Sequence, residues 1–399
     1  MTESIESTER TLPNIIIRDF NLSLIPPTCL IRRLGPDCIP QVIEDAKSET
    51  DICNLFMRMF YIYGAYGLDN DALLMQDKAL ELRQCFRINA PKEPKLRLLS
   101  LVAAGEMTDN TPLDFVVEKT NIQLEVMYVS ERQTDILEVP LHDIVFVGLG
   151  ESLKNNPILD YLDIILKKWP RPVINNPLNV KKCGRVELYN ILCNVDGIHI
   201  ANTKVVCSSE VFFNGEVFVI RPIGTHSGKG FQLITSQDEL NNYLSRYHQK
   251  QEFYLSDYVD YKSSDGNFRK YRIALIGGEP FVCHLAISEH WVVNYIGARM
   301  DLSETKRAEE ELEMLDFEFR FGLKHKSAFK AFHEHIDLDY VILDCYETKD
   351  SKLLIFEADP GSWIHATDSV EMYPYKQPVM QKAFNAFQEL LTNKIGKFQ

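Results

Sequence analysis

Two apolar runs near the end of the chain constrain the fold more than any other feature. They are Leu338-Asp339-Tyr340-Val341-Ile342-Leu343-Asp344-Cys345-Tyr346 and Lys352-Leu353-Leu354-Ile355-Phe356-Glu357-Ala358-Asp359-Pro360-Gly361, flanking the polar break Glu347-Thr348-Lys349-Asp350-Ser351. β-Branched and aromatic runs joined by a short polar break read as a β-hairpin. Alternate side chains of a strand share a face, so Glu357 and Asp359 point the same way, and the partner strand can set Asp344 opposite them. Three carboxylates brought together repel one another and raise their own pKa values unless a cation joins them. An all-oxygen donor set is what Mg2+ takes where it also holds phosphates, which makes Asp344, Glu357 and Asp359 candidate metal ligands. The competing reading, a solvated hairpin with scattered acids, needs strands with both faces in water, and these are too apolar for that.

At 399 residues the chain has room for two or three domains. A net charge of −14 argues against nucleic acid or an anionic membrane as the main partner. Nine cysteines without a Cys-x-x-Cys spacing suit buried, reduced thiols of a cytoplasmic protein better than a disulfide framework or a zinc site. No run approaches the roughly 18 apolar residues of a membrane span. Met1 to Glu9 is acidic, unlike the basic start of a signal peptide. The expectation is a soluble cytoplasmic protein.

Residues 1 to about 12, rich in Ser, Thr and Glu, read as disordered. Cys38 to Ala90 reads as helical, with stripes formed by Ile43, Ile52, Leu55, Phe56, Met59 and Phe60, and by Leu73, Leu74, Ala79, Leu80, Leu82 and Phe86. Asp69-Asn70-Asp71 would cap the second helix. Such a helical module either binds a partner protein or caps the next domain, and capping is the simpler reading. Pro91-Lys92-Glu93-Pro94 reads as a linker, and the helical segment Cys38 to Ala90 is expected to be dispensable for nucleotide binding, because every candidate phosphate or metal residue lies from Arg221 onward. Strands at Lys95 to Ala104, Ile122 to Val129, Asp143 to Gly150 and Pro172 to Pro177 then alternate with helices at Pro112 to Lys119 and Pro157 to Trp169. That pattern implies a small parallel α/β domain. No Gly-x-Gly-x-x-Gly follows its first strand, so no dinucleotide site is expected there.

After a short helix, Val186 to Cys193, the strand Glu216 to Pro222 runs into Ile223-Gly224-Thr225-His226-Ser227-Gly228-Lys229-Gly230-Phe231. Glycines let the backbone approach closely and adopt positive φ, so such a loop can aim N–H groups at phosphate oxygens. It is no Walker loop: the spacing is one residue short, Gly230 stands where Ser or Thr belongs, and Phe231 to Ile234 reads as a strand. The reading is a hairpin lid. A helix capped at Ser236 with Glu239 at its third position leads to the strand Glu252 to Tyr261. Phe268 to Ile276 and Pro280 to Ile287, joined by Gly277-Gly278, form an antiparallel hairpin. Arg272 lies inside its first strand, where an unpaired cation is costly, so it should meet an anion. His284, His290, His333 and His335 read as hydrogen-bonded or solvated, and His333-x-His335 lacks the other signals of a metal site.

In that order the parts resemble the ATP-grasp superfamily, which includes glutathione synthetase, D-alanine:D-alanine ligase and RimK-like enzymes. The resemblance implies an α+β fold: two α+β subdomains grip ATP, with a small parallel α/β domain and an N-terminal helical segment before them. It divides the chain into a disordered start and helical module at 1–94, an α/β domain at 95–177, a small subdomain with the lid at 178–257 and a large subdomain with the metal site at 258–399. Position by position it implies Mg2+ or Mn2+ on Asp344, Glu357 and Asp359, and ATP bound by Arg221, Gly224, Ser227, Gly228, Lys229, Gly230, Ser256, Asp257, Tyr258 and Val259. The last four form the hinge that meets adenine. Arg272 and Arg221 are implied to be catalytic, meeting phosphate or acyl phosphate. Arg221 stands where the family has lysine and Asp359 where it has asparagine. The implied activity joins a small-molecule or peptide carboxylate to an amine through an acyl phosphate. The alternatives are a phosphotransferase acting on a hydroxyl and a nucleotide-binding scaffold whose helical module holds a partner.

Overall fold

The computed structural model describes residues 14–18, 23–24, 40, 44, 47, 49–131, 136–225, 228, 230–295 and 297–398. The expectation for residues 1 to 12 lies outside them, as does most of Cys38 to Ser48. The chain divides into two compact units, Met1–Leu149 with Pro157–Leu178 and Leu391–Gln399, and Gly150–Asn156 with Asn179–Leu390.

Through Ile174 the chain runs β1 (Asn14–Arg18), β2 (Ser23–Leu24), α1 (Ile52–Ala65), α2 (Asp69–Leu82), β3 (Cys85–Ile88), β4 (Leu96–Ala103), α3 (Leu113–Val117), β5 (Ile122–Val129), β6 (Ile136–Pro140), β7 (Ile144–Val147), α4 (Asn156–Leu166) and β8 (Val173–Ile174). A six-stranded sheet, β2-β3-β5-β4-β7-β8, centres the first unit and is parallel except between β3 and β5. Every residue of β5 and β7 is buried; β7 reads as a continuous apolar run, whereas β5 buries Gln123 and Glu125 among its apolar residues. β1 and β6 form a separate parallel pair.

The segment Cys38 to Ala90 departs, in its described residues, from the all-helical expectation. Phe86, read as the end of a helical stripe, is fully buried in strand β3. Its neighbour Arg87 donates to Glu125 of β5 at 2.9 Å, and Glu125 is 0% exposed. Pro91-Lys92-Glu93-Pro94 therefore turns the chain between two strands of one sheet and does not separate domains. Asp69 is the first residue of α2, whose N-cap Leu68 makes no side-chain bond; Asp51 caps α1, accepting from Cys53 N at 3.0 Å. The helices cap their own sheet. Gln76 bonds both N and O of Gly105 at 2.8 and 3.1 Å, and Met57 lies 3.9 Å from the Tyr128 hydroxyl.

Truncation at Lys92 would remove β2 and β3, leave β5 with an open edge and strand Glu125 without its arginine. The expected result is aggregation and loss of the first unit's cooperative transition in calorimetry. A soluble, cooperatively melting truncation would restore the dispensable reading.

Then follow α5 (Pro177–Lys181), α6 (Arg185–Leu192), β9 (Ile198–Ile200), β10 (Thr203–Cys207), β11 (Phe218–Pro222), β12 (Gln232–Ile234), α7 (Gln237–Leu244), β13 (Glu252–Asp257), β14 (Phe268–Ile276), β15 (Glu279–Ser288), α8 (Glu304–Leu315), α9 (Phe321–Lys324), α10 (Lys326–Ile336), β16 (Tyr340–Glu347), β17 (Leu353–Asp359) and α11 (Lys376–Phe398). The second unit holds two sheets. The smaller, antiparallel in the order β10-β13-β11-β12, packs Phe218, Ile220, Ile234 and Phe253 against Leu240 and Tyr243 of α7. Ser236 caps α7, accepting from Glu239 N at 3.2 Å. The larger runs β15-β14-β16-β17-β9, antiparallel but for β17 and β9. Residues 198–200 thus belong with the larger sheet, although the boundary at 178 assigned them to the smaller subdomain. Among the described residues no helix is long and apolar enough to cross a membrane. Cys53, Cys85, Cys183, Cys193, Cys207, Cys283 and Cys345 are free thiols.

Candidate functional site

Four ionisable residues stand opposite one another across four adjacent strands: His284 on β15, Arg272 on β14, Asp344 on β16 and Glu357 on β17. Directly opposed side chains share a face, so these form one row. Lys270, two residues before Arg272, and Asp359, two after Glu357, stand on that face as well. β-Bulges follow Arg272 and Asp344, irregularities of the kind that re-aim side chains beside functional sites.

Cations partner the two adjacent acids of the row. Arg272 donates to Asp344 from Nε at 2.8 Å and Nη2 at 3.1 Å, and to the Trp363 carbonyl from Nη1 at 3.0 Å. Lys270 donates to Asp344 Oδ2 at 2.7 Å. Arg185, first residue of α6, donates to Glu357 Oε2 at 2.5 Å. Asp359 accepts from Gly361 N at 2.8 Å and from Ser362 Oγ at 3.4 Å.

The mutual repulsion of Asp344 and Glu357 persists but is outweighed by the neighbouring cations. Burial would raise the Asp344 carboxyl, but Arg272 and Lys270 hold it well below the usual carboxylate range. Burial and the charge of Asp344 would likewise raise Glu357, and Arg185 keeps it low. Burial, with Arg272 and Lys376 nearby, holds the His284 imidazole well below its ordinary value, so it is neutral at pH 7.

Among the described residues no group of three or more His, Cys, Asp or Glu side chains is arranged to hold a metal ion. Asp344, Glu357 and Asp359 fit one in kind, sharing a face and offering only oxygen. In this arrangement Lys270 occupies Asp344 Oδ2 and Arg185 occupies Glu357 Oε2.

Arg221 lies on β11 opposite Tyr254. It bonds the Thr225 carbonyl through Nη2 and stands over the Phe231 ring, 5.9 Å from its centroid. Its Nε is buried and has no partner among the described residues, a costly donor that an oxygen of a ligand would satisfy. Burial, reinforced by Arg185 and opposed by Glu357, pushes the guanidinium down to about 10, so the two arginines and Glu357 feel one another.

Gly224, Gly228 and Gly230 all adopt positive φ; Ser227 and Lys229 lie outside the described residues. A side chain on Gly230 would stand 2.7 Å from Pro222 Cδ, and Tyr243 donates to the Gly230 carbonyl at 2.6 Å, which fixes the end of the loop. Gly224 and Gly228 have open space around them. Ser256 and Asp257 end β13: Ser256 Oγ is 2.8 Å from Thr203 Oγ1, and Asp257 N donates to Asn202 O at 3.0 Å. Tyr258 meets Trp291 edge-on at 6.0 Å, and Trp291 lies 5.2 Å from Phe231, so three rings join the segment Ser256 to Val259 to the exit of the loop.

Lys270, Arg185 and His284 were not singled out as site residues. Strand alternation would have placed Lys270 beside Arg272. Nothing local marks Arg185, whose partner is 172 residues away.

No protein-family model matches the chain, and no curated protein does. Solved structures do. The D-alanine-D-alanine ligase of Coxiella burnetii is 12% identical with TM-score 0.47, covering 76% of this chain and 96% of its own. The D-alanyl-alanine synthetase A of Vibrio cholerae is 10% identical with TM-score 0.46, covering 76% and 99%. A RimK domain ATP-grasp protein of Sphaerobacter thermophilus is 12% identical with TM-score 0.43, covering 74% and 99%.

Proposed function

We propose that the chain is an ATP-grasp enzyme that uses ATP to activate a carboxylate and joins it to an amine. The observation that carries this reading is the row of Arg272, Asp344 and Glu357, with Arg185 and Arg221, whose Nε has no partner among the described residues, close by: cations for phosphate oxygens beside acids for a divalent metal. Mg2+ or Mn2+, held by Asp344, Glu357 and Asp359, would supply charge neutralisation at the phosphates. Arg221 and the N–H groups of the Gly224 to Gly230 loop orient the phosphates. Ser256 to Val259 places the adenine. Arg272, fixed by Asp344 and the Trp363 carbonyl, stabilises the charge that develops on the transferred group. The carboxylate oxygen attacks the γ-phosphorus while its bond to the β-phosphate oxygen breaks and ADP leaves; the amine then attacks the acyl carbon, phosphate leaves with the bonding electrons of the acyl C–O bond, and the amine nitrogen gives up a proton to it. No side-chain nucleophile is required.

Incubation with ATP, Mg2+, a panel of acids and hydroxylamine is expected to yield ADP, phosphate and a hydroxamate of one acid, because hydroxylamine intercepts acyl phosphates. A stable phosphorylated product with no hydroxamate would reverse the choice in favour of phosphotransfer to a hydroxyl.

A further inference from the structure

We propose that Lys270 is an exchangeable counter-ion: it competes with the divalent metal for Asp344 and, once displaced, contacts the phosphate oxygens of the nucleotide. The inference rests on the nucleotide and metal reading above and concerns a residue that reading does not use.

Asp344 is held by two cations of different character. Arg272 is pinned at three points, by both oxygens of Asp344 and by the Trp363 carbonyl, and a guanidinium fork so engaged has nowhere to go. Lys270 makes a single bond, 2.7 Å to Oδ2, at the end of a four-carbon stem. Its side chain keeps 18% of its surface exposed, against 7% for Asp344. Asp344 Oδ2 already accepts from both Lys270 and Arg272, so a divalent cation arriving on that carboxylate would crowd a third positive group against them and repel the ammonium. Of the two partners, Lys270 is the one able to leave.

Its destination follows from the sheet. Lys270 and Arg272 are two residues apart on β14 and share a face, so a released Lys270 stays beside Arg272 on the side that carries Asp344 and Glu357. Oxygens of a bound triphosphate are the anions that arrive there with the metal. The exchange leaves each charge paired: Asp344 passes from lysine to metal, and Lys270 passes from carboxylate to phosphate.

The test compares Mn2+ binding, read by electron paramagnetic resonance, with binding of Mn2+-adenylyl imidodiphosphate, read by calorimetry, in the full chain. Lys270→Met removes the competitor and the phosphate contact together. It should bind Mn2+ alone at least tenfold more tightly than the parent and the Mn2+-nucleotide at least tenfold more weakly. Those opposite signs are the signature. A lysine that only supports the fold would weaken both affinities or neither, and either pattern in a variant with the parent's circular dichroism would overturn the proposal. Lys270→Arg guards against a misfolded methionine variant: with the charge kept, Mn2+ alone should bind as weakly as in the parent, and tight binding there would overturn the proposal as well. If the parent binds no Mn2+-nucleotide at all, the nucleotide reading itself fails, an outcome separable from these.

Discussion

Lys376→Met is expected to lower the stability of the second unit by about 3–5 kcal/mol, the cost of leaving a buried charge without its partner. For a unit of this size that is a fall of roughly 6–20 °C in its melting temperature. Lys376 is 2% exposed and Glu310 0%. The ammonium lies 3.5 Å from Glu310, 3.3 Å from Asp368, and 4.0 and 4.3 Å from the ring centroids of Tyr295 and Tyr373. Glu310 also accepts from Tyr375 at 2.7 Å, Tyr295 at 3.1 Å and the Leu285 N–H at 3.2 Å. Methionine fills the space but supplies no charge. Burial already pushes the Glu310 carboxyl above its usual range, against the pull of Lys376. Without the lysine Glu310 should take up a proton, so the variant's deficit should be greatest at neutral pH and shrink as pH falls toward 5. Replacing both residues, Lys376→Met with Glu310→Leu, should recover part of the loss, because an apolar pair leaves no charge uncompensated. Urea titration at pH 7.5 and 5.5 reads both effects; a deficit under 1 kcal/mol at pH 7.5 would show that the ion pair is not what holds these segments.

The elements that carry the candidate site were readable because their signals are local. β16 and β17 are apolar runs around a polar turn, and β14 and β15 are joined by Gly277 and Gly278, whose φ values of 59° and 88° favour glycine. The hairpin of β11 and β12 is readable for the same reason, the glycines between them being clustered in the chain. What escaped has long-range causes. Cys85-Phe86-Arg87-Ile88 is only four residues long and continues the helical spacing of α2; its strand character comes from pairing with β5, about forty residues on. α8 carries no readable apolar stripe, because the position it buries most deeply is Glu310. The charge balance of the site was misjudged for a related reason. Three acids in two adjacent runs are visible in the sequence, whereas the cations that neutralise them come from β14 and α6.

That misjudgement changes what Asp344→Asn should do. Acids that repel one another would be relieved by neutralising one of them, and stability would hold or rise. Acids paired with cations behave in the opposite way: asparagine keeps the shape of Asp344 but leaves Arg272 and Lys270, both partly buried, facing a neutral amide. A loss of about 3 kcal/mol is expected at pH 7. The sign with pH follows from the depressed carboxyl. Its contribution is complete above the unfolded-state value near 4 and disappears as pH falls below it toward the folded value, so parent and variant should converge in acid. The same variant should bind Mn2+-nucleotide at least tenfold more weakly, since it removes a proposed ligand. Glu357→Gln should share the nucleotide defect with a smaller stability loss, because the Glu357 side chain is 39% exposed and its pair with Arg185 is partly screened. An Asp344→Asn protein as stable as the parent would show that the two ion pairs contribute nothing net; one that is destabilised yet binds Mn2+-nucleotide with unchanged affinity would remove Asp344 from the metal site and leave it as the counter-ion of Arg272.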